Sequence, residues 1–376
     1  MLKKSVLLIF LWSVILMTGV AQPRVQLIDA DNSAFSYFGR TDQSDPKVVR
    51  FDWPGVYLRC AFTGNTLAVR LKSGDRDYFN VFVDDQPVKV IHPATDSIFI
   101  YNGLTGKGVH ELLISKRTEA DMGMASFYGI GIAPDGKITS SKVKNNRRIE
   151  FIGNSITCGY GAEGLSGKER FKPETENSYF SYASITARAF SADYALIAHS
   201  GLGIIRNYND KSKISTRLAP MPPRLGRTID TDSVKKWDFN RWKPDAVVIN
   251  LGTNDYSTLP HPDKAVFKRH YEQLIEKIIE VYGEIPVFCV VGPMTNEPCY
   301  SIVKEVVEDY RLIHVDTKVY FAGIPDGLLN NGSDLGSDGH PSYRGQKKSA
   351  ASLVPLMANV MKWSYHDTEI RFVEEY

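Results

Sequence analysis

Cysteine is scarce in this sequence, and the few cysteines present are far apart. They are Cys60, Cys158, Cys289 and Cys299. A disulfide-held scaffold needs a denser set, and a zinc site built from cysteines needs closely spaced pairs. The sequence therefore excludes both, and it favours four buried free thiols over a pair between Cys289 and Cys299.

An excess of charge of one sign is also missing. The 45 Lys and Arg residues nearly balance the 43 Asp and Glu residues, and they are scattered along the chain. A nucleic-acid partner would require a basic stripe, so none is expected. The eight histidines lack HxxH and HExxH spacings, which argues against a metal-dependent reaction, and we predict no metal and no cofactor.

Long hydrophobic runs are absent after the first twenty residues. Lys3 and Lys4 precede an apolar stretch at residues 6–17, and small residues follow it up to Ala21. This is the pattern of a secretory signal peptide at residues 1–21, and the apolar stretch is shorter than the roughly 20 residues of a membrane span. We expect a secreted or periplasmic protein whose mature form has no membrane partner.

Residues 22–140 show the patterning of short strands. Apolar side chains recur at every second position, the period of a half-buried strand, and Gly64-Asn65 and residues 84–87 supply turns between such runs. The alternating positions are Val56, Leu58, Cys60 and Phe62, then Leu67, Val69 and Leu71, then Phe79, Val81 and Val83. The pattern predicts a jelly-roll-like β-sandwich.

A polar, turn-rich linker at residues 133–148 separates this region from one of different period. Beyond it, predicted strands at residues 149–152, 194–198, 246–251, 287–291 and 312–315 alternate with helical stretches. Such alternation predicts an α/β domain over residues 145–376, with a central parallel sheet covered on both faces in three layers.

The clearest helix is predicted at residues 262–282, with Gly283 closing its end. One face of it carries Phe267, Tyr271, Leu274, Ile275, Ile278 and Tyr282.

Three predicted strands of the α/β domain end in polar or glycine-rich motifs. These are Gly153-Asn154-Ser155, Ser200-Gly201-Leu202-Gly203 and Gly252-Thr253-Asn254-Asp255, and Asp338-Gly339-His340 lies just before a final helix. Active sites of such sheets lie at the carboxyl ends of the strands. Each motif alone is weak evidence, but together they supply a nucleophile, oxyanion donors and a base for acyl transfer.

In this order and spacing, the four motifs resemble the conserved blocks of the SGNH hydrolase superfamily. The resemblance implies that Ser155 is the nucleophile, that His340 is its base, and that the Ser155 and Gly203 N–H groups and the Asn254 amide form the oxyanion hole. Asn154 stands where aspartate is commoner, at a position that is not a catalytic group in the superfamily.

The sandwich before the SGNH region, Gly159-Tyr160-Gly161 after Ser155, and the Asp338-to-Pro341 motif together resemble carbohydrate esterase family two. That resemblance implies removal of acetyl groups from plant cell-wall polysaccharides such as xylan and glucomannan, so an acetylated carbohydrate is the expected substrate. Tyr160, Tyr208, Tyr256 and Tyr300 are candidates for stacking against sugar rings, although ordinary packing is the favoured explanation for any one of them.

The sequence offers several candidates for the group that orients His340. Many SGNH enzymes have aspartate three residues before the histidine, where this chain has Ser337. Asp338 is a candidate orienting group, and the alternatives are a backbone carbonyl of Asp338 or Ser337, as in a Ser–His dyad, or the loop carboxylates Asp334 and Asp326.

Two other functions stay open: another short-chain lipase or esterase of the SGNH type, and a carbohydrate-binding protein with vestigial esterase activity. The sequence does not decide the oligomeric state or whether the sandwich binds sugar.

Overall fold

The structure is a computed structural model that describes residues 24–94, 97–105, 108–295, 297–325, 327–330 and 332–371. The predicted signal peptide lies outside the described residues and stays a prediction. Within the described part of the chain, no helix has both the length and the apolar character needed to cross a bilayer.

Residues 26–139 form two antiparallel sheets of six strands each. The strands are β1 (Gln26–Asp29), β2 (Ser36–Phe38), β3 (Asp42–Asp45), β4 (Val48–Phe51), β5 (Tyr57–Thr63), β6 (Leu67–Lys72), β7 (Phe79–Val83), β8 (Gln86–Ile91), β9 (Ser97–Tyr101), β10 (Val109–Lys116), β11 (Ala125–Ile132) and β12 (Ile138–Thr139). One sheet has the order β3-β4-β11-β6-β9, with β1 also on β11, and the other has the order β12-β5-β10-β7-β8, with β2 also on β5. The predicted β-sandwich is confirmed.

Period-two patterning places the sandwich core as expected. All the alternating apolar positions of β5, β6 and β7 are buried. Phe51 of β4 and Phe79 of β7 bring the two sheets into contact through an edge-on ring pair 6.4 Å apart. The β7–β8 turn is tighter than predicted, because Asp84 and Asp85 both adopt positive φ and Gln86 already belongs to β8.

The second region contains a five-stranded parallel sheet flanked by helices. Its strands and helices are β13 (Arg147–Gly153), α1 (Ser155–Cys158), α2 (Tyr182–Ala189), β14 (Ala192–Ala198), the hairpin β15 (Arg227–Ile229) and β16 (Asp232–Lys236), β17 (Ala246–Asn250), α3 (Thr253–Tyr256), α4 (Lys264–Tyr282), β18 (Val287–Val290), α5 (Cys299–Ile313), β19 (Val319–Phe321) and α6 (Tyr343–Met361). The sheet order is β14-β13-β17-β18-β19, which confirms the predicted α/β fold.

Three neighbouring strands of the sheet, β14, β13 and β17, end in register. Gly153 of β13 pairs with Ala198 of β14 on one side and with Asn250 of β17 on the other. The motifs that follow these strands therefore meet at one edge of the sheet.

Helix α4 begins two residues later than predicted and ends where predicted, at Tyr282. Its six predicted core residues are all buried, and Gly283 closes it at a positive φ of 85°. This face packs in the same apolar cluster as one side of the parallel sheet.

The predicted strand at residues 312–315 is wrong. Leu312 and Ile313 end helix α5, and the edge strand is β19, a few residues later. The apolar run misled the prediction because Leu312, Ile313 and Val315 all point to solvent, each more than three-quarters exposed.

The linker predicted at residues 133–148 is partly regular, since it contains β12 and the first residues of β13. Polar contacts join the two regions across it. Arg40 and Glu150 form an ion pair of 3.1 Å with both side chains buried, and the Asp52 carboxylate accepts the N–H groups of Asp230 and Thr231 at 2.7 and 2.9 Å. The exact domain boundaries stay a prediction.

All four cysteines are free and buried, as expected.

A matched pair of leucine variants tests the assignment of the two helix faces. Leu274→Ala in α4 should lower the free energy of unfolding by about 2–5 kcal/mol, because it opens a cavity beside the sheet. Leu312→Ala should change it by less than about 0.5 kcal/mol, because that side chain is exposed. Urea denaturation followed by circular dichroism measures both, and equal losses would contradict the assignment.

Candidate active site

Ser155 lies at the sheet edge because β13 ends abruptly in a capped helix. Asn154 is extended, and its Oδ1 accepts the Ile156 N–H at 3.1 Å, which caps α1 and makes Ser155 its first residue. Gly153 has no room for a side chain, since a Cβ there would overlap Thr157. The N–H of Ser155, in the first turn of α1, has no carbonyl four residues earlier in the helix to bind.

The structure brings His340 to Ser155. The imidazole Nε2 lies 2.8 Å from the Ser155 Oγ, although 185 residues separate the two in sequence. His340 stands just before α6, whose N-terminus is capped by the Ser342 hydroxyl. The His340 carbonyl accepts the Gly336 N–H at 2.7 Å, which ties the histidine loop back on itself.

Burial lowers the pKa of His340 to about 4, and the carbonyl groups of Asp338 and Ser337 and the Asp338 charge offset this only in part. The imidazole is therefore neutral near neutral pH and can accept a proton. Its Nδ1 is buried and has no hydrogen-bond partner of good geometry among the described residues. The Asp338 and Ser337 carbonyl groups, which raise the pKa of the ring, are the same two groups that would orient the histidine in a Ser–His dyad.

The Asp338 carboxylate is engaged elsewhere. It accepts hydrogen bonds from the Tyr160 hydroxyl at 3.1 Å, the Phe171 N–H at 3.2 Å and the exposed Arg170 guanidinium at 3.2 Å. Burial works against its ionisation, but these three donors hold the pKa of Asp338 below its usual value. Its backbone has a positive φ of 51°. The geometry thus argues against Asp338 as a carboxylate that orients His340.

Of the two other candidate orienting carboxylates, Asp334 is described and is bound elsewhere. Asp334 is fully buried, and its carboxylate binds Arg344, Lys348 and the Asn330 N–H, so it anchors α6 to the preceding loop. Asp326 lies outside the described residues.

The turn after β14 presents a backbone N–H at the sheet edge, but the geometry favours Gly201 over the predicted Gly203. Gly203 is enclosed, because its N–H donates to Asn207 Oδ1 at 3.3 Å and a Cβ there would overlap Arg206 and Asp255. The Gly201 N–H makes no hydrogen bond to any described residue, and the space beside Gly201 is open. Gly201 also has a positive φ of 77°, which favours glycine.

Asn254 reaches the same turn from α3. Its side-chain Nδ2 donates to the Leu202 carbonyl at 2.8 Å, which leaves the second amide hydrogen for another acceptor. Asn254 is 6% exposed, so this amide is almost enclosed by protein.

Sequence reasoning missed the function of the next residue, Asp255. Its buried carboxylate accepts three consecutive backbone N–H groups, those of Ile204, Ile205 and Arg206, each at 2.9 Å. Burial raises the pKa of Asp255 to about 6, and the three donors oppose that rise. The fourth residue of the Gly-Thr-Asn-Asp motif thus shapes the turn that carries Gly201. The one signal in the sequence was a charged residue soon after an apolar strand, where burial of the charge would require several hydrogen-bond donors.

Comparisons with known proteins identify the family of the chain. Residues 37–141 match the family model described as carbohydrate esterase 2 N-terminal, and residues 151–348 match the GDSL-like lipase/acylhydrolase family. A solved structure of a family two carbohydrate esterase from Clostridium thermocellum, in complex with cellohexaose, is 37% identical with a TM-score of 0.81. The alignment covers 88% of this chain and 99% of that one. The chain belongs to carbohydrate esterase family two.

Two curated relatives of this family are similar in sequence. The cellulase/esterase CelE of Acetivibrio thermocellus is 38% identical over 347 residues, which are 90% of this chain but 41% of that protein. An acetylxylan esterase/glucomannan deacetylase of Cellvibrio japonicus is 36% identical over 220 residues, 57% of this chain and 58% of that protein. The chain therefore spans about half the length of these two relatives.

The four candidate tyrosines of this family two member have different surroundings. The Tyr160 ring packs against Phe171 at 3.9 Å and against the His340 imidazole at 4.3 Å, so it supports the histidine. Tyr256 is buried, and Tyr300 packs edge-on against Phe321. Tyr208 is 60% exposed and donates its N–H to the Gly201 carbonyl, so it alone of the four offers a free ring beside the turn.

One group of metal-ligand type lies behind the site among the described residues. Glu119, Cys158 and Glu176 are buried and place their ligand atoms within 4.8 Å of one another. Burial and the neighbouring Glu119 charge raise the pKa of both Glu176 and Cys158 well above the usual values, which favours their protonated forms. Hydrogen bonds hold this cluster together, and the predictions of no metal and no cofactor stay predictions.

The environment of His340 predicts an unusual titration. By NMR, the ring Cε1 proton of His340, assigned by its absence in His340→Gln, should titrate with a pKa of about 4. Because an unfolded histidine titrates near 6.5, the unfolded chain binds the proton first as the pH falls, and the fold loses stability below about pH 6.5. A folded-state midpoint near 6.5 would contradict the burial argument.

Proposed function

We propose that this protein is a serine esterase that removes O-acetyl groups from plant cell-wall polysaccharides, xylan and glucomannan, or from their oligosaccharides. The observation that carries the proposal is the 2.8 Å contact between the Ser155 Oγ and the Nε2 of a neutral, partly buried His340. A serine hydroxyl becomes a nucleophile when a base within hydrogen-bond reach can take its proton.

The reaction follows from these groups. His340 Nε2 accepts the Ser155 proton while the Oγ attacks the acetyl carbonyl, and the imidazolium then protonates the sugar oxygen as the ester bond breaks. Water attacks the resulting acetyl-serine while His340 accepts a proton from it, and the imidazolium then returns this proton to the Ser155 Oγ as the acyl bond breaks and acetate leaves. The imidazolium is transient, since burial favours the neutral ring.

Negative charge on the tetrahedral intermediate needs donors at the same edge. We assign them to the N–H groups of Ser155 and Gly201 and to the second amide hydrogen of Asn254, with Gly201 in place of Gly203. The loss of one such donor typically slows the chemical step about 100- to 1000-fold. For His340, the Ser337 and Asp338 carbonyl groups are the proposed orienting groups, in a Ser–His dyad.

The substrate assignment draws support from the relatives and from the surface. The relative from Cellvibrio japonicus is named an acetylxylan esterase/glucomannan deacetylase, and the structure from Clostridium thermocellum holds cellohexaose. In this chain, the exposed ring of Tyr208 adjoins Gly201, where a sugar ring could stack during catalysis. We further propose secretion or periplasmic export after cleavage at Ala21, with residues 22–140 as the sandwich and residues 145–376 as the catalytic domain.

The experiment that tests the function is hydrolysis of 4-nitrophenyl acetate, butyrate and longer esters by the mature protein and by Ser155→Ala. Activity should be confined to short acyl chains, and the variant should lose at least about 1000-fold in kcat, because the remaining groups supply no nucleophile. Release of acetate from acetylated xylan and glucomannan then tests the substrate class. An inactive wild type, or an alanine variant with full activity, would refute the proposal.

Asp338→Asn separates a dyad from a triad. Asparagine tolerates the positive φ of this position, and the substitution removes only the charge. If the carboxylate serves Tyr160, Phe171 and Arg170 and not His340, kcat for 4-nitrophenyl acetate should fall less than about 10-fold. In serine proteases the equivalent change of a triad aspartate costs about 10⁴-fold in kcat, and a loss of that size here would restore Asp338 as the orienting carboxylate.

A further inference from the structure

One glutamate of the sandwich region reaches into the catalytic region behind the nucleophile. Glu119 lies between β10 and β11, far from the sheet edge in sequence, and is 2% exposed. It belongs to none of the four sequence motifs of the site. A buried carboxylate destabilises the fold unless hydrogen bonds or charges compensate it. The contacts of Glu119 provide this compensation.

A single oxygen of Glu119 touches both the nucleophile helix and the glycine turn. Its Oε2 accepts the backbone N–H of Ser200 at 2.6 Å and lies 3.7 Å from the Sγ of Cys158. Cys158 ends the short helix that Ser155 begins, and Ser200 immediately precedes Gly201. Only the φ and ψ of Ser200 separate the anchored N–H from the Gly201 N–H.

Glu119 is itself fixed by its neighbours. Its carbonyl accepts a hydrogen bond from the Lys116 ammonium at 3.1 Å, and its N–H donates to Glu176 Oε2 at 3.2 Å. Lys116 is fully buried and also pairs with Asp77 at 2.5 Å. The carboxylate is therefore presented to the turn from a rigid backbone.

A second contact from the same segment holds the residue before Ser200. Asp121 lies 3.4 Å from the Nε2 of His199, whose Nδ1 pairs with Asp230 at 2.5 Å. Burial opposes protonation, but the two carboxylates raise the pKa of His199 to about 10, so the ring is cationic near neutral pH. Residues 119–121 thus hold both residues that lead from β14 into the turn.

We propose that Glu119 is a positioning residue of the esterase: its carboxylate fixes the Ser200 N–H, and through it the Gly201 N–H that faces the oxyanion. The sandwich region thereby completes the catalytic centre. This inference rests on the proposed esterase function. A hydrogen bond from an N–H to a carboxylate is about twice as strong as one to a neutral acceptor, which suits a turn that must not shift during catalysis.

Three variants of Glu119 separate shape from charge. In Glu119→Gln, a neutral oxygen can still accept the Ser200 N–H. In Glu119→Asp, the charge remains, but the carboxylate is one methylene too short, and in Glu119→Ala the acceptor is gone. We expect kcat for 4-nitrophenyl acetate to fall about 10- to 100-fold in the alanine and aspartate variants, because a displacement of about 1 Å can cost 100-fold. The glutamine variant should recover most of this loss.

Two further readouts distinguish positioning from general destabilisation. KM should change less than about 3-fold in all three variants. The inhibition constant of methylboronic acid, which forms a tetrahedral adduct with a reactive serine, should rise in parallel with the loss of kcat/KM, since the adduct needs the same donors.

Tyr57→Phe is the matched control. It removes another buried hydrogen bond between the two regions, from the Tyr57 hydroxyl to Asp193 at 2.9 Å, and Asp193 lies at the start of β14, away from the strand ends. The control should lower the thermal midpoint and leave kcat within about 2-fold.

The outcomes are separable. An inactive wild type, or an active Ser155→Ala protein in the same series, refutes the esterase function. An active wild type with kcat retained within about 3-fold in Glu119→Asp and Glu119→Ala overturns the positioning inference alone, as does an equal loss of kcat in Tyr57→Phe. Should the alanine variant fail to fold, the aspartate variant decides by the same criterion, and a glutamine variant that loses as much kcat as the aspartate variant would also overturn the inference.

Discussion

The pairing of Gly153 with Ala198 on one side and Asn250 on the other is the constraint on which the rest of the site depends. Parallel strands in this register end together, so whatever follows them in sequence is delivered to one edge. Ser155, Gly201 and Asn254 come from three separate parts of the chain, yet each lies two to four residues beyond this line. A shift of one strand by one residue would reverse its side chains and dismantle the site.

The turn after β14 is held from two directions. From the catalytic region, Asp255 binds the N–H groups of Ile204, Ile205 and Arg206, and from the sandwich, Glu119 binds that of Ser200. Both carboxylates are buried and both act on backbone groups, which fixes the turn without engaging the Gly201 N–H. Donors fixed in advance are more effective for developing charge than donors that must reorganise during the reaction.

Burial has opposite consequences for the two histidines near the site. Among the described residues, no carboxylate forms an ion pair with the His340 ring, so burial keeps the ring neutral and able to accept a proton. His199 lies between Asp121 and Asp230, whose charges overcome burial and keep it protonated. One histidine, His340, is thus the proposed base, and the other, His199, links the two regions through its ion pairs.

Much of this protein could be predicted from its sequence. Period-two and helical patterning located the sandwich, the parallel sheet and the buried face of α4, because these patterns follow from local geometry and burial. The sequence motifs placed Ser155 and Asn254 after strands of a parallel sheet, whose ends converge at one edge, and placed His340 in the loop before the final helix.

Tertiary structure alone decided the rest. The apolar residues 312–315 resemble a strand, but the packing of α5 leaves them in solvent. Two glycines of one turn look equivalent in sequence, and only the fold encloses Gly203 and leaves the Gly201 N–H open. The direction of the Asp338 carboxylate and the reach of Glu119 depend on contacts between residues about 80 to 180 positions apart. Local sequence cannot encode such contacts, because they exist only when distant parts of the chain are packed together.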